Sequence, residues 1–103
     1  MDRQSITKVL NPWVKRHDLR VSNVYRDQFY YLDIADDAGG KYEISIFEDE
    51  QPDLIRVRVW SNRKKSCGFI GVGSSDLEGV LEQAYACVIR WVHQTGGRRI
   101  VAF

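Results

Sequence analysis

Three stretches of alternating side chains, joined by five-residue runs of turn formers, constrain this chain more than any other feature. The stretches are Phe29–Ala35, Lys41–Glu48 and Leu54–Ser61. Each is rich in branched or aromatic residues, the pattern of a half-buried strand. The connections are Asp36-Asp37-Ala38-Gly39-Gly40 and Asp49-Glu50-Gln51-Pro52-Asp53. A parallel crossover needs a dozen residues or more, so strands joined this closely run antiparallel. Gly39 and Gly40 admit the backbone angles a tight turn requires, and Pro52 marks the second break.

Alternation divides the strands into two faces. Tyr30, Leu32, Ile34, Tyr42, Ile44, Ile46, Ile55, Val57 and Val59 belong to a core face. Phe29, Tyr31, Asp33, Glu43, Ser45, Phe47, Arg56, Arg58 and Trp60 belong to the other. Leu19–Val24 reads as a weak first strand, followed by a turn at Tyr25–Gln28. Cys67–Val72 reads as an edge strand weakened by glycine. The tail Arg98–Phe103 is either a short extra strand or a frayed end.

Helices flank this meander. Ser5, or alternatively Asp2, is the candidate N-cap of the first. Ile6, Val9, Leu10 and Trp13 form its apolar face, and Pro12 is expected to end it near Asn11 or to kink it. Val14–Asp18 then reads as a connection. The last helix is expected over Asp76–Gln94, with Ser75 and Glu78 as a capping box and Gly96-Gly97 as its stop. Leu77, Leu81, Ala84, Val88, Trp91 and Val92 make a stripe of helical period, widened by Tyr85 and Ile89. The expectation is an α+β fold in one compact domain over residues 1–103. An antiparallel four- or five-stranded meander carries a long C-terminal helix on one face, with a short N-terminal helix beside it.

At 103 residues and 12.0 kDa the chain has room for one core. Hydrophobic residues are 44% and charged residues 28%, which is globular composition. A formal charge of +1 disfavours a strongly cationic nucleic-acid binder. That total hides a polarity: residues 31–54 hold eight acids and Lys41, whereas residues 55–75 hold five bases and no acid. Neighbouring strands of opposite sign would cancel across the sheet, or the two poles would orient a charged partner. No apolar run approaches membrane-spanning length, and Met-Asp-Arg-Gln-Ser lacks the apolar core expected of a signal peptide. Cys67 and Cys87 could form one bridge, but two cysteines favour reduced thiols in a cytoplasmic protein.

Motifs with chemistry are thin. Gly68–Ser75 lacks the Gly-Lys-Ser/Thr ending of a phosphate loop. Cys67, Cys87, His17 and His93 lack the paired spacing of a structural zinc site, so no metal is assigned. His17 reads as solvated, and His93 complements the end of the long helix. No cofactor is implied, and the chain is expected not to be an enzyme.

The order helix, meander, long helix resembles in layout single-stranded nucleic-acid-binding coactivator domains, small bacterial immunity proteins and secretion-chaperone-like domains. No family motif accompanies the likeness, and no residue role carries over. The functional expectation rests on the second sheet face, where aromatics sit among arginines. The N-terminal helix, laid down through Ile6, Val9, Leu10 and Trp13, would cover that face; so would a homodimer. Left open, it suits a non-catalytic protein-binding module, an immunity-like inhibitor or assembly adaptor. The candidate contacts are Phe47, Trp60, Arg56 and Arg58, with Asp36, Asp37, Asp49 and Glu50 complementing a basic partner. One alternative is single-stranded nucleic-acid binding, with Tyr31, Phe47 and Trp60 stacking and Arg56, Arg58, Arg63, Lys64 and Lys65 on phosphates. Another is a homo-oligomeric accessory protein.

Overall fold

The computed structural model describes residues 3–22 and 28–101; at Arg3, Arg20, Val21, Ser22, Gln28 and Phe29 it describes the backbone alone. The element order is α1 (Arg3–Arg16), β1 (Arg20–Ser22), β2 (Gln28–Asp36), β3 (Lys41–Glu48), β4 (Ile55–Ser61), β5 (Ser66–Val72), α2 (Leu77–Gln94) and β6 (Ile100–Val101). Strands β1 to β5 lie side by side in chain order, every pair antiparallel. In the tail, Ile100–Val101 form a strand: β6 pairs with the end of β2, Ala35 facing Val101 and Asp36 facing Ile100.

Both helices lie on the Leu32–Ile44–Val57 face. Ile6, Leu10, Trp13 and Val14 from α1 join Leu77, Leu81, Ala84, Val88, Trp91 and Val92 from α2 in one buried cluster with that face. The helices are also tied to one another. Glu82 Oε1 accepts a hydrogen bond from Trp13 Nε1 at 2.7 Å and lies 2.9 Å from His17 Nε2. His17 is thus held at the helix junction and not merely solvated. Thr7 Oγ1 meets Tyr30 Oη at 2.6 Å, fixing α1 over β2. The N-terminal helix therefore does not cover the second sheet face, because its apolar stripe is used beside α2.

Local expectations change at three points. Helix α1 continues through Pro12 to Arg16, so Val14 is helical and Ser5 lies inside the helix. A proline inside a helix costs about 3 kcal/mol. Trp13, 1% exposed, and the buried Val14 offset that cost by packing beyond it. At α2 the capping box does not form: Asp76 is the N-cap and makes no side-chain cap hydrogen bond. The stop does form as a Schellman motif, with Gly97 N donating to Val92 O, Gly96 N to His93 O, and Gly96 at φ 87°. Of the turn expected at Tyr25–Gln28, Gln28 instead opens β2; the remainder of it, the end of the first expected strand at Val24, and Asp2 lie outside the described residues.

Candidate functional site

The face opposite the helices carries Tyr31 and Asp33 on β2, Glu43, Ser45 and Phe47 on β3, Arg56, Arg58 and Trp60 on β4, and Ile70 on β5. Register sets them in rows across the sheet. Asp33 faces Glu43, which faces Trp60; Tyr31 faces Ser45, which faces Arg58; Phe47 faces Arg56. The opposite charges of β3 and β4 therefore do not stand directly across from each other. Phe29 falls at a register irregularity between β2 and β3, and its side chain lies outside the described residues.

Strand β5 contributes a residue not among the expected contacts. Between the pairs Val57–Phe69 and Ile55–Val72, the residues Ile70 and Gly71 stand against Arg56 alone, which makes a β-bulge. Gly71 takes φ 63°, a left-handed angle that glycine adopts without a Cβ clash. Asp49 Oδ2 accepts from Gly71 N at 2.6 Å and pins the bulge to the preceding turn. Ile70 is left 80% exposed and Trp60 46%; they are the exposed large hydrophobics among the described residues. The alternation of Cys67 and Phe69 inward against Gly68 and Ile70 outward was the sequence signal for it. Phe47, Arg56, Arg58, Gly68 and Ile70 line a groove of about 390 Å³, and Trp60 follows farther along β4 on the same face.

The arginines differ in state. Arg56 is drawn to the turn: Nε lies 3.6 Å from Asp49 Oδ1 and Nη2 lies 3.3 Å from Glu50 Oε1. The hydrogen bond from Gly71, with Gln51, Glu50 and the Arg56 charge adding to it, holds the Asp49 carboxyl below its ordinary value against partial desolvation. Arg58 is exposed and has no ion-pair partner among the described residues. Burial raises the Glu43 carboxyl; Asp33 adds to the rise and a hydrogen bond with Ser45 opposes it.

The remaining candidates lie elsewhere. Asp36 is buried, accepting from Ala38 N, Gly40 N and Tyr42 Oη. Asp37 Oδ1 accepts from Arg98 N and Arg99 N, tethering the tail. Arg63 donates to Thr95 O and Ala38 O, and Lys65 to Gln94 Oε1. Lys64 is exposed in the β4–β5 turn at φ 66°. Arg56 thus joins Phe47 and Arg58 in lining the groove, with Asp49 and Glu50 paired to it from the adjoining turn, whereas Asp36, Asp37, Arg63 and Lys65 serve the β2–β3 hairpin, the tail and the end of α2. Among the described residues no group of three or more His, Cys, Asp or Glu could hold a metal ion. No described helix is long and apolar enough to cross a membrane.

Compared with known proteins, the chain matches no family model, no curated protein and no solved structure.

Proposed function

We propose that this chain is a non-catalytic protein-binding module whose contact surface is the helix-free face of the sheet. The observation that carries the reading is the exposure of Trp60 and Ile70 on the same sheet face as the Phe47–Arg58 groove, which Ile70 helps to line. Aromatic and arginine side chains over a partly apolar floor are what partner proteins bury most productively. An inhibitor of the immunity type or an assembly adaptor uses a surface of this kind. Carboxylates favour a protein over a nucleic acid. Asp33 and Glu43 share a row with Trp60, and two of the bases expected on phosphates, Arg63 and Lys65, are engaged near the end of α2.

A photo-crosslinking side chain placed in turn at positions 47, 58, 60 and 70 tests this in cells. The reading expects one protein partner captured from these positions and none from Lys8 or Gln83, which lie on the helices. Capture of nucleic acid, with an oligonucleotide affinity that falls steeply with salt, would favour the stacking alternative. Capture only of further copies of the chain would make the face a homo-oligomer interface. No capture from any of the four would sink the proposal.

A further inference from the structure

Cys67 and Cys87 are far apart in sequence, yet β5 and α2 bring them into contact. Cys67 Sγ donates toward Cys87 Sγ across 3.3 Å, and Arg90 Nη2 donates to Cys87 Sγ at 3.1 Å. Both thiols are free and only partly buried. Arg90 is exposed one turn along α2, beside a surface depression lined by Tyr85, Ala86 and Ile89. Two sulfurs in contact, one of them met by a guanidinium, are arranged for more than packing. From this geometry we infer that Cys67 and Cys87 form a peroxide-oxidisable dithiol, in which Cys87 attacks and Cys67 resolves. Its product is a disulfide that clamps the edge strand β5 to α2.

The roles follow from the donors. A thiolate is the nucleophile in thiol oxidation, and a nearby cation favours it. A Cys87 thiolate would keep two hydrogen bonds, from Arg90 and from the Cys67 S–H. Cys67 has the opposite setting. Partial burial, with the neighbouring Cys87 sulfur adding to it and the Arg90 charge opposing it, pushes its thiol upward, and no hydrogen-bond donor reaches its sulfur among the described residues.

The chemistry balances with hydrogen peroxide as oxidant. Cys87 sulfur attacks one peroxide oxygen, an S–O bond forms, the O–O bond breaks, and the departing hydroxide is protonated to water. The product is a sulfenic acid at Cys87. Cys67 sulfur then attacks Cys87 sulfur, forming the S–S bond and breaking the S–O bond. The leaving hydroxide takes the Cys67 proton as a second water. Two thiols have lost two electrons, and one peroxide has become two waters. Closure asks the sulfurs to move from 3.3 Å to the disulfide length of about 2.05 Å.

The test uses the whole reduced chain and dilute hydrogen peroxide, read by intact mass and non-reducing peptide mapping. The expected product is monomeric, lighter by about 2 Da for the two hydrogens lost, with the Cys67 and Cys87 peptides linked. Before oxidation, a limiting alkylating reagent should label Cys87 at least about tenfold faster than Cys67. Arg90→Gln should slow disulfide formation several-fold. Cys67→Ser should stop at a sulfenic acid on Cys87, trapped by dimedone. If that variant does not fold, the linked peptide in the unaltered chain and the Arg90→Gln rate still decide. Linkage between chains, over-oxidation without an internal bridge, or first labelling at Cys67 would each overturn the assignment.

Discussion

The Tyr42 hydroxyl donates to Asp36 Oδ2 at 2.7 Å, a buried hydrogen bond within the β2–β3 hairpin. The same carboxylate accepts from Gly40 N at 2.7 Å and Ala38 N at 2.8 Å through Oδ1. Burial alone would push this carboxyl up. The donors Tyr42, Gly40 and Ala38, with the Arg63 charge nearby, outweigh burial and hold it below its ordinary value.

Removing the hydroxyl by Tyr42→Phe should cost about 1.5–3 kcal/mol at neutral pH, the range for a hydrogen bond to a charged group. A carboxyl lowered by folding contributes stability above its unfolded value and loses it as pH falls through the folded one. The gap between variant and wild type should therefore narrow below about pH 3.9, the unfolded value. Urea titrations at several pH values measure it; a gap constant from pH 7 to pH 2 would contradict the assignment.

Gly40 is close to the same carboxylate. A Cβ there would lie 2.6 Å from Tyr42 Oη and closer still to Asp36 Oδ2, both held by their hydrogen bonds. Gly40→Ala should destabilise by more than about 2 kcal/mol. At Gly79 on α2 a Cβ would enter open space. Gly79→Ala should stabilise by about 0.5–1 kcal/mol through helix propensity alone. Thermal unfolding of the pair separates the two effects.

Pro12 is exposed within α1 and can donate no backbone hydrogen bond to the preceding turn. Pro12→Ala should raise stability by about 1–3 kcal/mol, some of the gain being returned through a freer unfolded chain. A lower denaturation midpoint would show that the ring itself makes a favourable contact.

Trp91 and Trp60 should separate folding from recognition. Trp91 is buried against the sheet, and Trp91→Ala should cost about 3–5 kcal/mol. Trp60, 46% exposed, should tolerate alanine with a loss under about 1 kcal/mol. Near-native stability together with lost partner capture in Trp60→Ala is the expected result. Loss of both would assign Trp60 to the fold.

Much of the architecture was legible in residue spacing. Strand β3 occupies the expected Lys41–Glu48, and the six buried residues of α2 are the six of its predicted stripe. Pro12 misled because its cost is local, whereas the burial of Trp13 and Val14 that offsets it is tertiary. Ser75 and Glu78 matched a capping pattern, but the turn over Gly73–Asp76 begins α2 another way, Asp76 N bonding to Gly73 O. Among the candidate site residues, Trp60 and Arg58 were placed on their face by alternation alone. Asp36 could not be recognised as internal, since its partner Tyr42 and the covering Gly97 come from different elements.

Residue spacing marked most strands and helices, which residues share a face, and the antiparallel run of the central strands. Those properties follow from spacings of two and of three to four residues and from short connections. Long-range packing settled that both helices occupy one face, that the Phe47–Trp60 face is free of them, and that Cys67 meets Cys87 beside Arg90. Covering a face and bringing two sulfurs together are contacts between distant segments. They are selected by the apolar area the whole chain can bury, which no local pattern records.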